Sequence, residues 1–206
     1  MIITVDGPAA AGKGTIARAL AQHFSYHFLD TGTLYRRVGL ALLETSDDPR
    51  NVKAAVAVAQ NLNSHPYSDL DLRTEAVGAA ASIVAVIPEV RTALLAYQRS
   101  FADQLPGAVL DGRDIGTVVC PNANVKLFIT ASQEVRARRR FAELQGYGAD
   151  VTFETVLADI KQRDERDKTR AAAPLVPAED AITIDTSKMT VEAAIAAAIN
   201  VASSVR

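Results

Sequence analysis

The residues with most chemical meaning in this 206-residue chain are consecutive: Gly7, Pro8, Ala9, Ala10, Ala11, Gly12, Lys13, Gly14 and Thr15. An apolar run, 1–5, precedes them, and Ile16, Leu20 and Phe24 follow at four-residue spacing, the mark of one helix face. Strand, glycine loop and helix in that order is the context in which a phosphate-binding loop is credible. Main-chain N–H groups turned inward surround a polyphosphate, the helix N-terminus adds partial positive charge, and Lys13 adds a full one. Gly7 and Gly12 admit backbone angles and a close approach that a side chain forbids. The bland alternative is a Gly/Ala-rich turn that merely contains a lysine. The strand before it and the helix after it argue against that.

The general motif puts Ser or Thr directly after the lysine, where the hydroxyl ligates Mg²⁺. Here Gly14 stands there, and the hydroxyl comes one residue later, on Thr15. Gly-Lys-Gly-Thr resembles the nucleoside monophosphate kinases rather than the GTPases. That resemblance implies Mg²⁺ held mainly by nucleotide oxygens and waters, which suits an ion that readily keeps several waters.

Three further clusters carry charge. Asp30-Thr31-Gly32-Thr33-Leu34-Tyr35-Arg36 follows a strand-like run. Thr31 or Thr33 could cap the next helix, but capping does not account for Tyr35-Arg36 one turn later. An arginine there offers a planar fork to a phosphate. Asp111-Gly112-Arg113-Asp114 ends the run Ala108-Val109-Leu110, and a carboxylate in that place beside a phosphate loop commonly organises Mg²⁺, directly or through water. A salt-bridged turn is the plainer reading of the same residues. The third cluster is arginine-rich: Arg136, Arg138, Arg139 and Arg140 in one helix, and Arg163, Arg166 and Arg170 spaced to share a face of another. Residues 133–170 hold 9 bases and 8 acids, so this is no nucleic-acid patch. Arginines on one stripe repel unless an anion lies between them, and a lid closing over a triphosphate supplies one.

The elements that must position these clusters read as alternating strands and helices. Strand-like runs fall at 2–5, 26–29, 108–110, 125–129 and 181–184. Val191, Ala194, Ile195, Ala198 and Ile199 repeat as the face of a docked C-terminal helix. The expected class is α/β, a five-stranded parallel sheet with helices on both faces, whose ligands bind beyond the strand C-termini. The expected organisation is a single phosphate-loop domain over 1–206, with an insert at 37–90 over an acceptor and a helical lid at 131–175. Net charge is −2, so nothing argues for nucleic-acid or membrane attraction. The lone Cys120 allows no internal disulfide, and His23, His27 and His65 lack metal-ligand spacing. No apolar run approaches membrane-spanning length, and Met1 leads directly into the first strand. A cytoplasmic protein is expected.

Taken together, the 30–36 cluster, Asp111-Gly112-Arg113-Asp114-Ile115-Gly116-Thr117-Val118-Val119, and Arg163-Asp164-Glu165-Arg166-Asp167 with Arg170 and Ala173-Pro174-Leu175 resemble the bacterial cytidylate kinases, nearly end to end. The resemblance implies a P-loop kinase fold, a monomer, and transfer of phosphate from ATP to CMP or dCMP with Mg²⁺. It implies that Ser82, Arg91 and Asp114 read the cytosine ring, and that Arg36, Arg113 and Arg170 surround the acceptor phosphate. It implies Asp167 at the sugar hydroxyls, Thr31 and Tyr35 lining the acceptor site, and Arg163 facing the phosphates. Asp114 would accept from the exocyclic amine that uracil lacks. Lys13, Arg113, Arg139, Arg163 and Arg170 are the expected catalytic set, with Asp111 in the water shell of Mg²⁺. The acceptor phosphate is already anionic, so no general base is required. The family's insert usually holds a small antiparallel sheet; residues 62–73 are too short for one, so a trimmed insert is expected. The alternatives are a kinase for UMP, AMP or shikimate, or an ATP-binding module without transfer activity.

Overall fold

Five short segments form the sheet of the computed structural model, which describes residues 1–62, 67–68 and 71–205, Arg73 by its main chain alone. They are β1 (Ile2–Asp6), β2 (His27–Asp30), β3 (Ala108–Gly112), β4 (Val125–Thr130) and β5 (Ile182–Asp185), in the spatial order β2-β3-β1-β4-β5. The β1–β3, β1–β4 and β4–β5 ladders are parallel, and Asp6 lies level with Gly112 and Phe128. Parallel pairing therefore delivers the turns after β1 and β3 to one edge, where ligands of such sheets bind.

The chain divides into two compact units, Met1–Leu29 with Ala102–Arg206, and Asp30–Phe101. In the first, α1 (Lys13–Phe24) and α8 (Val191–Ser203) pack on Ile3, Val5, Val109, Leu127 and Ile129. Helix α1 uses Ile16, Leu20 and Phe24, as its spacing predicts, whereas α8 docks through Ala194, Ala198 and Ala202 and leaves Val191 exposed. Helices α6 (Gln133–Gly146) and α7 (Phe153–Thr169) pair around Ala137, Leu144, Val156 and Ile160, a cluster that Ala9 of the glycine loop joins.

The second unit contains α2 (Thr31–Glu44), α3 (Val52–Gln60), α4 (Glu75–Val84) and most of α5 (Pro88–Ala102). Leu34, Val38, Leu42, Val84, Val90 and Leu94 form its core. Gly39 lets α2 approach α4 closely, because a Cβ there would lie 2.9 Å from the Ala81 nitrogen. Asn51 and Thr74 cap α3 and α4 by accepting from the N–H groups of Ala54 and Val77. Helix α2 begins at Thr31 with Asp30 in the cap position, so neither Thr31 nor Thr33 is the cap. Half of the 62–73 segment that the trimmed-insert reading concerns lies outside the described residues; those described there include a 3₁₀ turn, Asp71–Arg73. Among the described residues, no single helix is long and apolar enough to cross a membrane.

Side chains alternate along β1: Ile3 and Val5 enter the α1/α8 core, while Thr4 and Asp6 face the π-helical turn Ile115–Val119. The Asp6 carboxylate accepts from the N–H groups of Ile115 (2.9 Å) and Gly116 (2.7 Å). Burial pushes the Asp6 carboxyl up to about 6; the two N–H groups oppose the rise, and the neighbouring Asp114 and Asp111 charges add to it.

A Cβ at Gly7, where φ is +145°, would sit 1.9 Å from the Ile129 carbonyl oxygen. Gly7→Ala should cost roughly 3 kcal/mol or more in urea unfolding. Asp6 binds its proton more tightly folded than unfolded, so its contribution falls as pH rises from about 4 to about 6, by ~3 kcal/mol at 1.4 kcal/mol per unit. Across that window the stability of wild type relative to Asp6→Asn should decline; a flat difference would contradict the burial of this carboxylate.

Candidate active site

The glycine loop leaves β1 with Gly7 at φ +145°, passes through Ala10 at +58° and Gly12 at +91°, and enters α1 at Lys13. Left-handed residues within such a loop turn successive N–H groups toward a common concavity. Its carbonyls find partners. Lys13 Nζ donates to the Pro8 oxygen (3.0 Å), Arg136 Nη1 to the Ala9 oxygen (3.1 Å), and the Thr186 hydroxyl to the Ala11 oxygen (3.1 Å). Lys13 is buried, with its ammonium 3.9 Å from Asp111 Oδ1. Thr15 is exposed in the first turn of α1.

Asp111, the next-to-last residue of β3, lies beside this loop. A Cβ at Gly14 would come within 3.4 Å of Asp111 Oδ2, so the residue after the lysine places no side chain there. One buried hard carboxylate, with no second protein oxygen supplied by position 14, fits a cation that retains most of its waters. Among the described residues, no group of three or more His, Cys, Asp or Glu side chains is arranged to hold a metal ion.

The turn after β3 meets the end of α7 through two ion pairs. Arg113 Nε donates to Asp167 Oδ2 at 3.0 Å, and Arg170 Nη2 donates to Asp114 Oδ1 at 3.2 Å. Residues 54 and 56 positions apart in sequence are thereby brought together. Burial raises the Asp167 carboxyl, but Arg113, Arg163 and Arg170 outweigh it and hold the group below the usual carboxylate range. The anion expected between the arginines is thus partly the protein's own. Arg170 does not share the α7 stripe: the helix ends at Thr169, and Arg170 turns away in extended conformation, where Nε donates to the Ala173 oxygen.

The arginines of α6 separate into distinct roles. Arg139 donates to the Thr186 hydroxyl (3.0 Å) and carbonyl (2.8 Å) and to the Ala11 oxygen (3.4 Å), so it abuts the glycine loop. Arg138 lies over the Phe153 ring, and Arg140 pairs with Glu143 at the surface. Arg136 is buried against Asp164. Sequence spacing missed both this burial and the Asp6 contact; a charged residue at an apolar-periodic position beside Ala137 was the available signal for Arg136.

In the second unit, Thr31 is buried at the start of α2, with Tyr35 and Arg36 half-buried one turn on. Arg91 of α5 stands 5.9 Å from the Tyr35 ring centre and donates to the Ala85 oxygen (3.3 Å). Ser82 is buried on α4.

Comparison with known proteins places the chain in a family. Residues 3–204 match the family model described as cytidylate kinase. A cytidylate kinase of Rhodospirillum rubrum is 54% identical over 98% of this chain and 96% of its own. One from Bradyrhizobium diazoefficiens is 52% identical over 100% and 97%. An uncharacterized protein from Eubacterium ventriosum has a similar solved structure, with a TM-score of 0.55 at 15% identity, covering 97% of this chain and 96% of its own, which shows the shared fold alone. With the family model spanning nearly every residue and half the positions identical to those relatives, the chain belongs to the cytidylate kinase family.

Proposed function

We propose that this protein transfers the γ-phosphoryl group of ATP to CMP or dCMP, giving ADP and CDP or dCDP. The observation that carries the reading is the glycine loop: its left-handed residues, its buried lysine and the adjacent Asp111 lie at the same strand edge as the Arg113–Asp167 and Arg170–Asp114 pairs. Phosphoryl transfer asks for in-line placement and charge neutralisation more than covalent chemistry. Residues 7–15 and Lys13 hold the ATP phosphates. Mg²⁺ would neutralise phosphate charge, with Asp111 oriented toward its water shell. Arg139 and Arg163, carried by the lid at 131–175, approach the phosphates.

For the acceptor, the family resemblance gives Arg36, Arg113 and Arg170 to its phosphate, Asp167 to its sugar hydroxyls, Asp114, Ser82 and Arg91 to the cytosine ring, and Thr31 and Tyr35 to the lining of the insert at 37–90 and its approach. The residue type gives this assignment a physical basis, since a guanidinium presents its N–H donors in a planar fork that matches a phosphate. A cytoplasmic location and a monomeric state go with the reading and are measured by fractionation and sizing.

ADP formation from ATP and Mg²⁺ with CMP, dCMP, UMP and AMP side by side tests it. Turnover with CMP and dCMP well above the others is expected; equal turnover with UMP would overturn the role of Asp114, and none with any acceptor the kinase reading itself. Lys13→Ala should lower kcat on the order of 10²-fold or more with the fold intact. Asp167→Ala should raise KM for CMP much more than for ATP; equal shifts would contradict its place at the acceptor.

A further inference from the structure

Behind the glycine loop lies a charge network to which no role toward either nucleotide has been given. Arg136 of α6 is 3% exposed. Its Nε donates to the Ala131 oxygen (2.9 Å) and its Nη1 to the Ala9 oxygen (3.1 Å). The fork then grips Asp164 of α7, Nη1 to Oδ1 at 2.9 Å and Nη2 to Oδ2 at 2.5 Å. Asp164, 5% exposed, also accepts from Gln133 Nε2 at 3.0 Å.

Stability is a weak reason for such a pair. Desolvating two charges offsets much of their attraction, and apolar replacements are often as stable. The α6–α7 contact already has Ala137, Val156 and Ile160. What the pair does supply is a fixed donor at one loop carbonyl. A trans peptide is planar, so its C=O and the next N–H point in opposite directions. Drawing the Ala9 oxygen toward α6 turns the Ala10 N–H to the other face of the loop. Ala10 pays for that geometry with a left-handed φ of +58°, a conformation unfavourable to any residue with a Cβ.

We infer that Arg136, locked by Asp164, is a positioning residue for the ATP phosphates: it never meets the nucleotide but holds the 9–10 peptide so that the Ala10 N–H faces the anion. The fork geometry matters, because one guanidinium reaches Ala9, Ala131 and both Asp164 oxygens at once, which a lysine cannot do. The inference rests on the reading of ATP as the ligand of this loop.

The test is calorimetric titration of ATP and of CMP into wild type, Arg136→Lys, Asp164→Asn and Arg136→Lys/Ala10→Gly, with Tm and both KM values measured alongside. Arg136→Lys should weaken ATP about tenfold and leave CMP within about twofold. Glycine has no left-handed penalty, so adding Ala10→Gly should restore ATP binding about threefold. Should Arg136→Lys not fold, Asp164→Asn, which loosens the fork, carries the same expectation of a selective ATP loss. Unchanged ATP affinity, equal weakening of both nucleotides, or no restoration by Ala10→Gly would each overturn the inference. Acceptor turnover by wild type is read separately: a wild type that binds ATP with these selective effects yet makes no CDP would remove the CMP kinase reading and leave this one standing.

Discussion

A loop that offers N–H groups to an anion must hide its carbonyls somewhere else. In this protein that requirement organises much of the first unit. The oxygens of Pro8, Ala9 and Ala11 are taken by Lys13, Arg136 and Thr186, which come from α1, from α6 and from the segment after β5. Gly7 has to be glycine because β4 passes against it, the Ile129 carbonyl occupying the space of a side chain. The loop is therefore held from behind by several elements before any nucleotide arrives. Such preorganisation lowers the cost of binding, since the peptide planes need no reordering around the phosphates.

The same economy of charge governs the far side of the strand edge. Arg113 and Arg170 would repel each other if they converged with no anion between them. Asp167 and Asp114 provide one each, and the low proton affinity of Asp167 records how strongly the arginine field is felt there. Asp6 acts in the opposite sense. It is a carboxylate whose charge burial disfavours, retained where it can fix the π-helical turn that follows Asp114. One strand end thus anchors both the phosphate loop and the turn bearing Arg113 and Asp114.

Much of this was legible in the residues. Apolar runs that stop at Asp or Gly marked β1, β2 and β3; the strands extend to Asp6, Asp30 and Gly112, and the β1–β3 ladder continues through Asp6 and Gly112. The loop, its lysine and the clusters around Arg113 and Arg170 were visible because their residue types have few other uses in that order. What spacing could not convey was which arginine is buried. Arg136 and Arg139 are one turn apart on α6, yet the former is sealed by a carboxylate 28 residues away and the latter lies against Thr186, 47 residues away. The helical stripe through Arg170 failed for a local reason, the end of α7 at Thr169. Asp6 was hidden because its partners are main-chain N–H groups 109 and 110 positions along.

The glycine loop is a cradle already set for a polyphosphate. Backbone ¹H–¹⁵N spectra of the full chain during titration with Mg–ATP test it directly. Large shifts are expected at the amides of Ala10, Gly12, Gly14 and Thr15 on ATP addition, with little change at those amides with CMP alone. Loop amides indifferent to ATP, or moved equally by CMP, would contradict it.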